Sequence, residues 1–131
     1  MFPQFKAMVK TTKVTTKSVG DAAEDAALSH LQHAGLHLLK RNYRTPGRGG
    51  GEIDLIMQDA DGTTVFVEVR QRATSSHGGA AGSITPAKQR RIVFAARFYL
   101  MSLRTVPPCR FDVVSVEPGR FDWLRAAFDA D

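Results

Sequence analysis

The chain contains a single cysteine, Cys109, so no disulfide can form within it and no cysteine-rich metal cluster can be assembled. Cys109 follows Pro107-Pro108 at the expected start of a strand, which suits a packed thiol better than a nucleophile. Long hydrophobic runs are also missing, and no apolar stretch approaches the roughly 18 residues that span a bilayer. The N-terminus carries no continuous apolar stretch of the signal-peptide kind, so a cytoplasmic address is the expectation. Internal repeats are absent, and a length of 131 residues suits one hydrophobic core.

Acidic residues are missing from two long stretches. Ala26 to Gly51 has none but carries Lys40, Arg41, Arg44 and Arg48. Val69 to Phe111 has none but carries Arg70, Arg72, Lys88, Arg90, Arg91, Arg97, Arg104 and Arg110. The net charge is +5, and residues 1–18 supply most of it through Lys6, Lys10, Lys13 and Lys17 without any acid. Residues 1–18 therefore read as a flexible basic tail, and residues 19–131 as one domain whose charges are segregated. Segregated basic stretches suit a protein that grips phosphates, although a solvated helix face accounts for some of these arginines.

Between the two basic stretches lie two strand-like runs. Glu52-Ile53-Asp54-Leu55-Ile56-Met57 and Val65-Phe66-Val67-Glu68-Val69-Arg70 flank the turn Asp59-Ala60-Asp61-Gly62-Thr63. Gly62 can take the left-handed conformation that closes a three-residue hairpin loop. If Asp59 and Thr63 close that loop, Asp54 lies opposite Glu68. Opposed residues on one face have Cβ atoms about 5 Å apart, and like charges there destabilise a sheet. A hard divalent cation held by both carboxylates would remove the penalty. Alternation also puts Val65, Val67 and Val69 on one face with Ile53, Leu55 and Met57. The other face then presents Glu52, Asp54, Glu68 and Arg70 alongside Ile56 and Phe66, and reads as polar.

Gly51-Glu52-Ile53-Asp54-Leu55-Ile56 followed by Val65-Phe66-Val67-Glu68-Val69-Arg70-Gln71-Arg72 resembles the core of the PD-(D/E)xK nuclease superfamily. More narrowly, the chain is similar to the YraN-like family of small bacterial proteins, related in pattern to archaeal Holliday-junction resolvases. The likeness takes in Gly20, Glu24-Asp25-Ala26-Ala27, Lys88, Arg91-Ile92, Arg110-Phe111-Asp112-Val113-Val114-Ser115-Val116 and Ala127-Phe128. It implies an α/β restriction-endonuclease-like fold, with a mixed central sheet containing a β-hairpin and flanked by helices. It also implies Asp54 and Glu68 as ligands of Mg²⁺ or Mn²⁺, with Glu24 an added carboxylate from the first helix. Resolvases of this kind act as dimers, so a homodimer is among its implications, as are nucleic acid, above all DNA, as partner and phosphodiester hydrolysis as activity. Arg48, Arg70, Arg72, Lys88 and Arg91 are the candidate phosphate contacts.

The family pattern has lysine two residues after the second acid, where this chain has Arg70. Arginine stays protonated, with a pKa above about 12, and is a poor base. Arg70 can bind the scissile phosphate, and Lys88 can contact phosphate or replace the strand lysine. A catalytically inactive nucleic-acid-binding scaffold is therefore the alternative reading, and a protein-binding domain a third.

The remaining signals set the organisation. A helix is expected from about Asp21 to Ala34, with Asp21 and Glu24 in capping-box form and Gly35 as its stop. That cap is the structural alternative for Glu24. A first strand falls within Leu36 to Arg44. The glycine-rich stretch Thr45 to Gly51 leads into a strand rather than a helix, so it fails as a phosphate cradle and reads as a mobile loop. Ala73 to Ser83 is a second loop, with His77 in it. His30, His33 and His37 have helical spacing but no zinc-site framing. Thr85-Pro86 opens a helix to about Leu103, whose buried stripe is Ile92, Ala95, Ala96, Tyr99, Leu100 and Leu103. The strand Arg110 to Val116 should then pair parallel to the hairpin's second strand, with Asp112 structural. Phe121 to Phe128 closes the chain, with Trp123 packed.

Overall fold

Gly62 adopts φ 90°, and the turn it permits closes as the sequence requires. The Asp59 amide donates to the Thr63 carbonyl at 2.8 Å, and the Gly62 amide to the Asp59 carbonyl at 3.0 Å. In the computed structural model, which describes residues 16–71 and 84–130, this turn joins two strands at the centre of a five-stranded sheet. The elements follow in the order α1 (Thr16–His33), β1 (His37–Arg44), β2 (Glu52–Gln58), β3 (Thr64–Gln71), α2 (Pro86–Met101), β4 (Cys109–Glu117) and β5 (Arg120–Phe128). The strands lie in sequence order, β1 to β5. Only β3 and β4 are parallel, as their separation by a helix predicts; the other neighbours are antiparallel. The architecture is mixed α/β with a mostly antiparallel sheet.

Helix α2 begins where Thr85-Pro86 predicts. Thr85 Oγ1 accepts from the Lys88 amide at 3.1 Å, and Pro86 occupies the first turn, where a missing N–H costs nothing. Ile92, Ala95, Ala96 and Tyr99 are buried as expected, together with Val93. Leu100 and Leu103 pack on the margin of the same cluster. That cluster also includes Ile56 and Phe66, which corrects the polar-face reading of the hairpin. Both hairpin faces are covered: Leu55, Met57, Val65 and Val67 pack with Ala27 and Leu31 of α1 on the other side. Alternation alone cannot separate one covered face from two. Full burial of a side chain such as Phe66 stabilises by about 1.5–3 kcal/mol. Ile53 packs under α2 rather than with Leu55 and Met57, and Glu52 and Asp54 line a groove with Gly20 and Glu24 of α1.

Three other expectations are revised. Helix α1 starts at Thr16, so Thr16–Ser18 belong to it and Asp21 lies inside the helix rather than at its cap. Residues 1–15 fall outside the described residues. The Thr45–Gly51 loop is anchored at its base: the Gly51 amide donates to Thr45 Oγ1 at 2.8 Å, and the Thr45 amide to the Gly51 carbonyl at 3.1 Å. A Cβ on Gly51 would overlap the Arg91 carbonyl of α2, so that glycine serves close packing within the protein. Cys109 is exposed rather than packed, and partial burial raises its thiol pKa, which disfavours the thiolate.

Both outermost strands are irregular. Leu39 is an extra residue between the pairs Leu38↔Met57 and Lys40↔Ile56, and Asn42 takes φ 54°. In β5, Arg125, Ala126 and Ala127 stand against Asp112 alone, and Ala126 takes φ 51°. Asp112 is fully buried and fills the resulting gap: Oδ1 accepts from the Ala126 amide at 2.9 Å and Oδ2 from Trp123 Nε1 at 2.9 Å. No described helix is long and apolar enough to cross a membrane.

Candidate functional site

The β2–β3 register runs from Gln58↔Thr64 to Leu55↔Val67, and the next residues outward are Asp54 and Glu68. Each carboxyl bears on the other's pKa, so the two lie within interaction range. Asp54 Oδ2 also accepts the Val69 amide at 2.8 Å. Glu68 is 4% exposed, and its Oε2 lies 3.4 Å from Lys88 Nζ. The Thr85 cap orients the first turn of α2, and that turn carries Lys88 to the end of β3.

Charge explains which acid keeps the proton. Burial, and then the negative Glu68, push the Asp54 carboxyl up to about 7, against the partial relief given by the Val69 amide and Lys88. Burial also raises Glu68, but Lys88, Asp54 and Arg70 counter it. Asp54 therefore keeps its proton up to about pH 7, while Glu68 sits beside Lys88.

Glu24 approaches from α1. Its carboxyl is raised first by burial and next by Asp54, which places the two acids within electrostatic reach. Glu24 Oε1 lies 3.4 Å from Arg41 Nε, and Arg41 Nη2 donates to Asp25 Oδ1 at 2.6 Å. A groove of about 500 Å³ lies beside Asp54, with Glu24, Asn42, Arg44 and Glu52 on its walls. Among the described residues, no three His, Cys, Asp or Glu side chains converge as a ligand cluster. The side-chain donors brought together are thus a pair, Asp54 and Glu68, with Glu24 held back by Arg41.

The other candidates are dispersed. Arg70 is near enough to lower Glu68. Arg48 is exposed in the Thr45–Gly51 loop, and the exposed Arg91 sits on α2 with its carbonyl against Gly51. Arg72 and His77 lie outside the described residues. The other histidines form no site: His30 stacks on Phe121 at 3.8 Å, and His33 Nδ1 lies 2.8 Å from the Ser29 carbonyl. Sequence reasoning missed Arg41 as the partner of Glu24. It also missed Asn42, opposite Asp54 in the β1–β2 register, whose only signal was an asparagine inside a strand.

The sequence matches the Uncharacterised protein family UPF0102 over residues 23–116. The chain belongs to the UPF0102 family. A UPF0102 protein of Albidiferax ferrireducens is 71% identical over 122 residues, covering 93% of this chain and 95% of that protein. Another, from Paracidovorax citrulli, is 66% identical over 118 residues, covering 90% and 87%. Among solved structures, "Crystal structure of SSO0001" aligns with TM-score 0.46 and 14% identity, covering 89% of this chain and 55% of that one. The UPF0102 match spans Glu24, Asp54, Glu68 and Lys88, so every group of the site lies inside the family region.

Proposed function

We propose that this UPF0102 protein is a metal-dependent nuclease of restriction-endonuclease-like fold that hydrolyses phosphodiester bonds in DNA, branched or single-stranded forms included. One observation carries the reading: the buried Glu68 and the half-buried Asp54 stand side by side at the end of the hairpin register, and burial together with the Glu68 charge pushes the Asp54 carboxyl up to about 7. Their oxygens are hard donors, and Mg²⁺ is commonly held by one or two carboxylates while keeping several waters. Asp54 and Glu68 would hold the ion, with the Val69 carbonyl and Glu24 as further donors once Glu24 leaves Arg41. Bound there, Mg²⁺ or Mn²⁺ would activate water and stabilise charge on the phosphate. Lys88, already at the carboxylates, supplies the positive charge that the strand lysine would have given. Arg70 neutralises the substrate phosphate and does not act as a base. This reading sets the protein to work in the cytoplasm and, as the resemblance implies, as a homodimer.

A second reading is favoured by Arg70 itself: the scaffold grips nucleic acid without cutting it. Cleavage of duplex, single-stranded and branched DNA, with Mg²⁺, Mn²⁺ or chelator, separates the two. Metal-dependent cutting by wild type that is lost in a folded Asp54→Ala variant is the expected result. Cutting that survives Asp54→Ala would sink the assignment. Cutting only by Arg70→Lys, with salt-sensitive binding by wild type, would favour the binding scaffold.

A further inference from the structure

Among the described residues, the outward side of α2 carries side chains that belong to no core cluster. Phe94, Phe98 and Met101 are 52%, 40% and 78% exposed. Spaced by four and three, they line one side of the helix. Arg90 and Arg97 fall on the same side. Next to Phe94 runs a groove of about 540 Å³ between α2 and the residues after β5, with Gln89, Arg90, Phe94, Arg97 and Asp129 among its walls. Arg97 Nη2 donates to the Ala130 carbonyl at 3.4 Å and ties the two walls together. Lys88, at the carboxylate pair, stands in the first turn of this helix.

We propose that this groove holds an unstacked nucleotide of a single-stranded nucleic acid. A nucleobase has two apolar faces and a polar edge, and it carries an anionic phosphate. The groove matches each part. The Phe94 ring offers a stacking surface, Gln89 and Asp129 can read the donors of a base edge, and Arg90 and Arg97 suit the phosphates on either side. An acidic peptide fits less well: it satisfies Arg90 and Arg97 but need bring no planar ring with a donor edge for Phe94, Gln89 and Asp129. The inference deepens the nuclease reading by naming the form of strand bound, and it rests on that reading only for what happens to the strand afterwards.

Anisotropy titrations with a labelled mixed-sequence single strand and a duplex of equal length, in chelator, test the groove on the full chain. Phe94→Ala should weaken single-strand binding roughly 5- to 100-fold, as loss of one stacked base does, while duplex binding stays within about twofold. Because Phe94 is largely exposed, the variant should fold, and an unchanged melting curve checks this. Arg90→Ala should flatten the salt dependence of single-strand binding. Wild type that ignores single strands, or Phe94→Ala that binds them as wild type does, overturns the proposal. So does an acidic amphipathic peptide that binds this face where the oligonucleotide does not. The two readings fail separately. Selective loss in Phe94→Ala without cleavage by wild type keeps the groove and removes the nuclease; Asp54-dependent cleavage with a silent Phe94→Ala does the reverse.

Discussion

Two places in one sheet bury carboxylates, and they treat them in opposite ways. At Asp112 both oxygens meet donors: Arg110 Nε at 3.0 and 3.2 Å, Trp123 Nε1 at 2.9 Å and the Ala126 amide at 2.9 Å. Arg110 reaches on to Asp59 at 3.0 Å, tying the hairpin turn to β4. Asp54 meets the Val69 amide at 2.8 Å and Glu68 meets Lys88 at 3.4 Å, and burial raises both carboxyls. A buried acid with a full donor set is a structural fastening. Two acids set side by side with so few donors are both driven toward their protonated forms.

Removing the fastening should have the largest effect. Asp112→Ala removes the acceptor of the Arg110 Nε–H, the Trp123 indole N–H and the Ala126 amide at once, leaving Arg110 its contact with Asp59, and chemical denaturation should show a loss of about 3–5 kcal/mol. The same kind of change at the other place should have the opposite sign. Asp54→Asn keeps an oxygen for the Val69 amide and an N–H for Glu68, so the metal-free protein should gain about 1–3 kcal/mol at pH 8.

The pH dependence sharpens the contrast. The unfolded chain releases the Asp54 proton near pH ~3.9, whereas the native protein holds it up to about 7. Between these values the native state binds more protons than the unfolded state, so stability falls as pH rises. The loss is complete above about 7. Melting curves should therefore fall across this window in wild type and flatten in Asp54→Asn. Mg²⁺ or Mn²⁺ should raise the wild-type melting temperature more at pH 8 than at pH 5, and should leave Asp54→Asn unmoved. The smallest expected change is at Thr85→Ala, where loss of the cap should cost about 1 kcal/mol and loosen the turn that presents Lys88. A pair that still responds to metal in this variant would show that Lys88 supports the site without defining it.

Local chemistry made much of this legible. Gly62 and the Asp59–Thr63 closure set the hairpin register and hence the facing of Asp54 and Glu68. Thr85-Pro86 marked the start of α2, and the strand–helix–strand spacing gave the parallel β3–β4 pair. What stayed hidden depends on partners distant in the chain. Arg41 meets Glu24 across 17 positions, and Arg110 meets Asp59 across 51. Asp21 had the residue type and spacing of a cap, but the helix had already begun at Thr16. Burial of Ile56 and Phe66 under α2 was invisible because a strand's alternation does not count the layers above it. The role of each carboxylate in chemistry lies beyond either kind of pattern and rests on the cleavage assay.

The irregular strands at the two margins have a consequence for the crowded life of the chain. A β-sheet can recruit a stranger only through a run of evenly spaced donors and acceptors on its border. Here one border is broken by the inserted Leu39 and the left-handed Asn42, and the other by the three residues set against Asp112. Among the described residues neither rim offers a straight template, which disfavours growth by adding strand to strand.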